Sequence, residues 1–153
     1  MDHSHIVTRF DKDLSEIESL LVEMADLVAK QISDSALALQ LGDNQLAKAV
    51  TKNDSKINRL EEKIDDKAIR LIALRQPMAE DLRSAITTLK VSNCLERMGD
   101  YAKTLSYRAR KVDDFSAMKS ILRSITETSE KIINMLNVVM EAYVNRDLNK
   151  AYN

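Results

Sequence analysis

Glycine, proline, tryptophan and cysteine are all scarce in this sequence. Its 153 residues include two glycines, one proline, one cysteine and no tryptophan, with two phenylalanines and four tyrosines. So few turn-forming and aromatic residues favour an all-α fold whose core is built from aliphatic side chains. The single cysteine, Cys94, cannot form an intramolecular disulfide, which suits a reducing cytoplasm, and we expect its side chain to be packed.

An excess of either charge and long apolar runs are also absent. The chain has 23 basic and 24 acidic residues, a formal net charge of −1. This balance provides no basic surface for nucleic acid or for an anionic membrane. No apolar run approaches the roughly 20 residues that cross a bilayer, and the first residues lack an apolar signal segment. We therefore expect neither nucleic-acid binding nor membrane insertion.

Helical periodicity fills most of the chain and is interrupted at few points. Gly42 predicts the end of a first helix, and Asp43 or Asn44 can cap the second. Pro77 disfavours helical geometry at Gln76 and is predicted to lie in the first turn of a third helix. The four predicted helices span approximately residues 8–41, 44–74, 77–110 and 117–145.

An internal repeat is found when the chain is shifted by 104 positions, so that residue 17 falls on residue 121. GDNQLA (42–47) then falls on RDLNKA (146–151). We predict a first three-helix repeat at residues 1–110, a linker at 111–116, and the start of a truncated second repeat at 117–153. By this arithmetic the second repeat would lack about 60 residues. The apolar residues Ile17, Leu21, Val28, Ile32, Ala36 and Leu39 correspond to Ile121, Ile125, Ile132, Leu136, Met140 and Tyr143.

Acidic residues of the second and third helices are predicted to face each other. In an antiparallel hairpin about Pro77, residues equally distant from the corner meet, because both helices rise equally per residue. Asp54 and Asp100 are each 23 positions from Pro77, and Asn58 and Glu96 are each 19 positions away. Residues four apart on one helix share a face. The hairpin therefore gathers three carboxylates and one amide.

A cation would relieve the repulsion among these carboxylates, one of which would otherwise have to be protonated. Oxygen ligands suit a hard divalent or trivalent metal. The alternative is a solvated acidic face, whose carboxylates pair with lysine or arginine. Glu96 favours the metal, because it continues the apolar stripe of Leu82 and Leu89 on the third helix.

The third helix has two further features that predict its packing. Gly99 lowers helix propensity, which a close backbone approach to a neighbouring helix would explain. A second apolar strip is predicted to be core against the third helix of the bundle, with a partner-facing role as the alternative. This strip consists of Val91, Leu95, Met98, Ala102 and Leu105.

Motifs for catalysis are lacking. A ferritin-like di-iron oxidase needs Glu-x-x-His on its helices, and the two histidines, His3 and His5, are assigned to an N-terminal tail before the first helix. The sequence has neither a glycine-rich phosphate loop nor a set of residues that would supply a nucleophile with its base. We therefore predict that the protein is not an enzyme.

Three segments of the chain have recognisable motifs: DNQLAKAVTKNDSKINRLEEKID (43–65), IALRQPMAEDLR (72–83) and LERMGDYA (95–102). Together they resemble the PhoU family of bacterial phosphate-signalling regulators, and the resemblance extends over nearly the whole chain. It implies an antiparallel three-helix bundle followed by the first helix of a second, incomplete bundle. It also implies a metal site at Asp54-x-x-x-Asn58 and Glu96-x-x-x-Asp100, where Asn58 departs from the family's E(D)-x-x-x-D pattern. Iron, zinc, manganese and magnesium remain open as the metal.

The resemblance further implies a role and partners. PhoU-like proteins are non-enzymatic cytoplasmic adaptors that negatively regulate the phosphate-starvation response. They couple the ATPase subunit of the phosphate ABC transporter to a membrane sensor histidine kinase, and a homodimer is implied for the full-length protein. The alternatives are a PhoU-like metal-binding module serving another transporter, a purely structural helical module, and a di-metal carboxylate enzyme.

Overall fold

The computed structural model describes residues 3–112 and 115–152, and the regular structure in these ranges is entirely helical. This confirms the all-α prediction. A 3₁₀ turn at Ser116–Met118 precedes the fourth helix. No helix in the described part of the chain is long and apolar enough to span a membrane. The helices are α1 (His3–Leu41), α2 (Asn44–Arg75), α3 (Ala79–Ala109), α4 (Lys119–Asn145) and α5 (Leu148–Ala151).

Helices α1, α2 and α3 pack pairwise into an antiparallel bundle, and α4 packs on α1. Their apolar stripes meet in a core of aliphatic side chains, as the scarcity of aromatic residues predicts. The hydroxyl of Tyr143 on α4 also lies 3.2 Å from that of Thr88 on α3. The largest fully buried apolar side chains are Ile17, Leu21, Met24, Val28, Val50, Ile57 and Ile64.

The corner between α1 and α2 has the predicted caps. Gly42 adopts a left-handed conformation with φ of 63°, which glycine tolerates better than other residues. The side chain of Asp43 accepts hydrogen bonds from the backbone N–H groups of Gln45 and Leu46, at 2.9 and 3.0 Å. Two of the otherwise unpaired donors at the start of α2 are thereby satisfied.

The corner between α2 and α3 differs from the prediction in one respect. Pro77 does not lie in the first turn of α3, because Gln76 turns left-handed after α2 and Met78 is extended before α3 begins. Proline disfavours right-handed helical geometry at the preceding residue. The chain reverses direction over Gln76, Pro77 and Met78, and α3 begins only after them. Glu80 and Asp81 do lie in the first turn of α3, where they complement its dipole.

The assignment of His3 and His5 to an N-terminal tail was wrong, because α1 already begins at His3. The buried side chains of Phe10 and Leu14 hold this end of α1 in the core, which favours continuation of the helix toward the N-terminus. The side chains of the two histidines lie outside the described residues. The sequence still has no Glu-x-x-His motif.

The inward face of α3 is lined mainly by small residues, and the predicted stripe through Leu82 and Leu89 lies at its edge. Cys94 is exposed, so the expectation that it is packed was wrong. A Cβ atom on Gly99 would lie 3.0 Å from Cδ1 of Ile57, which confirms the close helix approach. The buried residues of α3 are Ala85, Thr88, Ser92, Leu95, Gly99, Ala102, Ser106 and Ala109.

The second apolar strip of α3 belongs to the core, as predicted. Leu95 and Ala102 are buried, and Val91 and Met98 pack against the same cluster. Leu105 packs against a smaller cluster formed by Leu39, Ala109 and Leu122.

The corner between α4 and α5 repeats the hydrogen bonding of the first corner. The backbone N–H of Asp43 donates to Ala38 at 2.9 Å, and that of Asp147 donates to Ala142 at 2.9 Å. Arg146 takes the left-handed conformation of Gly42, with φ of 54°. The repeat boundaries at residues 110 and 116 stay a prediction, and residues 113 and 114 of the predicted linker lie outside the described ranges.

Candidate functional site

Helices α2 and α3 bring the four predicted ligands into one neighbourhood. Asp54 is almost fully buried, with 3% of its surface exposed. Glu96 and Asn58 are partly buried, and Asp100 lies at the solvent-exposed edge. The antiparallel hairpin inferred from equal distances to the corner is therefore the arrangement in the structure. We call Asp54, Asn58, Glu61, Glu96 and Asp100 the carboxylate cluster.

Lys103 neutralises one side of this cluster. Its ammonium group donates to Oδ2 of Asp54 at 2.7 Å and to Oδ1 of Asp100 at 3.3 Å. The hydrogen bond to Asp54 is the main cause that raises the pKa of Lys103 above its usual value. The first of these contacts matters more, because Asp54 is buried and an unpaired buried carboxylate is strongly unfavourable.

Gln31 on α1 satisfies the other oxygen of Asp54. Its Nε2 donates to Oδ1 of Asp54 at 3.0 Å and to the carbonyl oxygen of Gly99 at 3.0 Å. One amide thus connects all three helices of the bundle. The absence of a side chain at Gly99 keeps its backbone within reach of this amide.

On the opposite side of the cluster, Glu96 and Glu61 form no ion pair with a lysine or arginine in the described part of the chain. The pKa of Glu96 is raised by burial and then by the nearby charges of Asp100 and Glu61. Burial also raises the pKa of Glu61, which a hydrogen bond from Asn93 at 3.5 Å partly offsets. Both shifts mean that the ionised forms are disfavoured, as expected for gathered carboxylates.

Asn58, the amide of the cluster, carries a buried acceptor that has no partner, since its Oδ1 forms no hydrogen bond with any of the described residues. An unsatisfied buried acceptor costs about 1–3 kcal/mol. A hard cation is one species that an amide oxygen can bind.

The donor chemistry of the cluster fits a hard metal ion, since every predicted ligand presents oxygen. Within residues 3–112 and 115–152, however, no three His, Cys, Asp or Glu side chains are placed so that they could hold a metal. Lys103 already engages two of the four predicted ligands. Metal binding here stays a prediction.

Two polar residues of the site were not found from the sequence. Lys103 follows Asp100 by three positions and therefore shares its helix face. Gln31 is 11 positions before Gly42, and Asp54 is 11 positions after Asp43. The argument from equal distances to a corner, applied to α1 and α2, would have placed Gln31 opposite Asp54.

Comparison with known proteins places this bundle in a family. The family model described as the PhoU domain matches residues 21–109. The chain is 37% identical over 147 residues to a phosphate-specific transport system accessory protein PhoU homolog of Caulobacter vibrioides, covering 96% of this chain and 64% of that protein. It is 37% identical over 144 residues to the homolog of Clostridium acetobutylicum, covering 94% of this chain and 65% of the relative.

A solved structure shares the fold as well. The crystal structure of PhoU from Pseudomonas aeruginosa matches with a TM-score of 0.85 at 32% sequence identity. The match covers 94% of this chain and 68% of that one. The chain spans a little under two thirds of the length of the Caulobacter and Clostridium relatives.

Proposed function

We propose that this chain, which belongs to the PhoU family, is an accessory regulator of a phosphate transport system. The observation that carries the proposal is the family match over residues 21–109, the segment that contains the whole carboxylate cluster. Relatives that are 33–37% identical over nearly all of this chain are named phosphate-specific transport system accessory proteins. The role is negative regulation of the phosphate-starvation response in the cytoplasm.

The proposed mechanism is binding without catalysis. The adaptor contacts the ATPase subunit of the phosphate ABC transporter and the sensor histidine kinase through its helical surfaces, and it acts as a homodimer. The sequence supports this view because it has no glycine-rich phosphate loop and no Glu-x-x-His motif. Signalling through helical surfaces needs only that partner binding differs between two states of the partner.

Deletion of the gene that encodes this chain tests the proposed role. A reporter driven by a phosphate-starvation promoter is measured in high and low phosphate. We expect high expression in both conditions after deletion, and restored repression in high phosphate when the gene is returned. A reporter that stays fully phosphate-responsive in the deletion strain would contradict the proposal.

We further propose that the carboxylate cluster binds a divalent or trivalent metal through Glu96, Asp100, Asp54 and the amide oxygen of Asn58. The unpartnered Oδ1 of Asn58 supports this proposal. A bound metal would neutralise carboxylates from both helices and thereby join α2 to α3. Iron, zinc, manganese and magnesium all accept oxygen ligands.

Elemental analysis of the purified protein tests the metal site. Glu96→Gln retains the shape of the side chain and removes one charged ligand, so we expect metal content to fall about tenfold or more. Helicity should persist, because glutamine has nearly the helix propensity of glutamate and Glu96 is only partly buried. Glu130→Gln on α4 is the matched control, since Glu130 is exposed. Equal metal content in all three proteins would show that the site is wrongly assigned.

A further inference from the structure

Lys103 and a metal ion would compete for the same carboxylate oxygens. The ammonium group lies 2.7 Å from Oδ2 of Asp54 and 3.3 Å from Oδ1 of Asp100. These two residues are the first and last of the four predicted ligands. A metal bound to both would have to share oxygens with a positive charge that already contacts them.

Asp54 requires a positive partner whichever cation supplies it. Its side chain is 4% exposed, and Gln31 provides it with one neutral hydrogen bond. Removal of a charged partner from a buried carboxylate is strongly destabilising. The Lys103 side chain is 38% exposed, and its flexible four-carbon stem allows the ammonium group to leave for solvent.

We propose that Lys103 is an internal cation that takes the place of a metal at Asp54 and Asp100, and that metal binds there only when Lys103 is displaced. This inference rests on the metal site proposed above. It gives the bundle two alternative ways to neutralise Asp54. With Lys103 in place, α2 and α3 are joined without metal. With metal bound, the lysine is released to the surface.

Competition with Lys103 lowers the affinity of this chain for metal. The competition penalises every metal that uses Asp54 and Asp100, whatever its identity. Asn58 adds to the effect, because it replaces a charged ligand with a neutral one. Lys103 and Asn58 would thus both shift this cluster toward the metal-free form.

Calorimetric titration with Mn²⁺ tests the competition. The proteins compared are the purified chain and its variants Lys103→Met, Lys103→Arg and Lys131→Met. We expect the affinity of Lys103→Met for Mn²⁺ to be at least about tenfold higher than that of wild type. In chelator its melting temperature should fall by about 5–10 °C and recover when Mn²⁺ is added. Lys103→Arg retains the charge and should behave as wild type. Lys131→Met removes an exposed lysine from α4 and should change neither measurement.

Equal Mn²⁺ affinities for wild type and Lys103→Met, or no binding by either, would overturn the inference. If Lys103→Met is unfolded in chelator, folding on addition of Mn²⁺ supports the inference, and failure to fold with Mn²⁺ counts against it. A Glu96→Gln change in the Lys103→Met protein separates the two proposals. Unchanged affinity there would refute the assigned ligand set while leaving the competition at Asp54 and Asp100 supported.

Discussion

Helices α1 and α4 have the same apolar pattern 104 positions apart but differ in how much of it is covered. Ile17 is 1% exposed and its counterpart Ile121 is 53% exposed, while Val28 is fully buried and Ile132 is 39% exposed. Toward its other end α4 lies on α1, and Leu136 is buried there. The same apolar pattern is therefore helical in both places. How much of the apolar face is buried depends on which neighbouring helices pack against it.

The corners that follow the two helices differ much less. Gly42 and Arg146 are both left-handed, and Asp43 and Asp147 both cap the next helix through their side chains. The first cap precedes a helix of 32 residues and the second a helix of four. These caps form from residues adjacent in the sequence, so they persist regardless of what packs around them.

The largest difference is expected for a pair of identical truncations, Ile17→Ala and Ile121→Ala. The first removes a fully packed side chain and should reduce the free energy of unfolding by about 3 kcal/mol. The second removes a largely exposed one, and its effect should stay below about 1 kcal/mol. Urea denaturation followed by circular dichroism measures both. Similar losses would show that α4 is covered in solution as thoroughly as α1.

An intermediate effect is expected from substitutions at the left-handed residues of these two corners, Gly42 and Arg146. Gly42→Ala should destabilise the protein by about 1–2 kcal/mol, because alanine disfavours this conformation. Its Cβ would also lie 3.1 Å from the ring of Phe115. Arg146→Gly should stabilise the protein by about 0.5 kcal/mol, because glycine favours this conformation. This net gain already includes the small loss from removing the ion pair between Arg146 and Glu18. Thermal melts of both variants measure the effects, and a loss of stability in Arg146→Gly would contradict the shared corner geometry.

The smallest difference should come from the two capping aspartates. Asp43→Ala removes two hydrogen bonds to the start of α2 and should cost about 1 kcal/mol. Asp147→Ala should change stability by less than about 0.3 kcal/mol, because the helix that it caps has no buried residue. Equilibrium denaturation of the two variants gives the comparison. If both variants lost the same stability, α5 would have to contribute to the folded core.

The helices, the corner after α1 and the pairing of α2 with α3 were predictable because each depends on residues close in sequence or on a single corner. The inward face of α3 was predicted less well. Ser92, Gly99 and Ser106 give little hydrophobic signal, although they are buried where α3 approaches its neighbours. The predicted stripe followed the larger residues Leu82 and Leu89, which are only partly buried at the edge of this face.

The charges of the site were predictable only in part. Equal spacing from Pro77 brought Asp54 and Asp100 together, and the structure confirms that they share a neighbourhood. The cation that contacts both is Lys103. Helical periodicity places Lys103 on the same face of α3 as Asp100, but it does not predict the contact between Lys103 and Asp54. Pairing required the side-chain conformations, and the same is true of the unsatisfied oxygen of Asn58.

Direct binding to the transporter tests the adaptor function most plainly. The purified chain is titrated by calorimetry into the purified ATPase subunit of the phosphate ABC transporter from the same organism. We expect a saturable complex that needs no nucleotide on this chain, together with no hydrolysis of ATP or GTP by the chain alone. The absence of any complex at high concentration, or nucleotide hydrolysis by the purified chain, would contradict the proposed role.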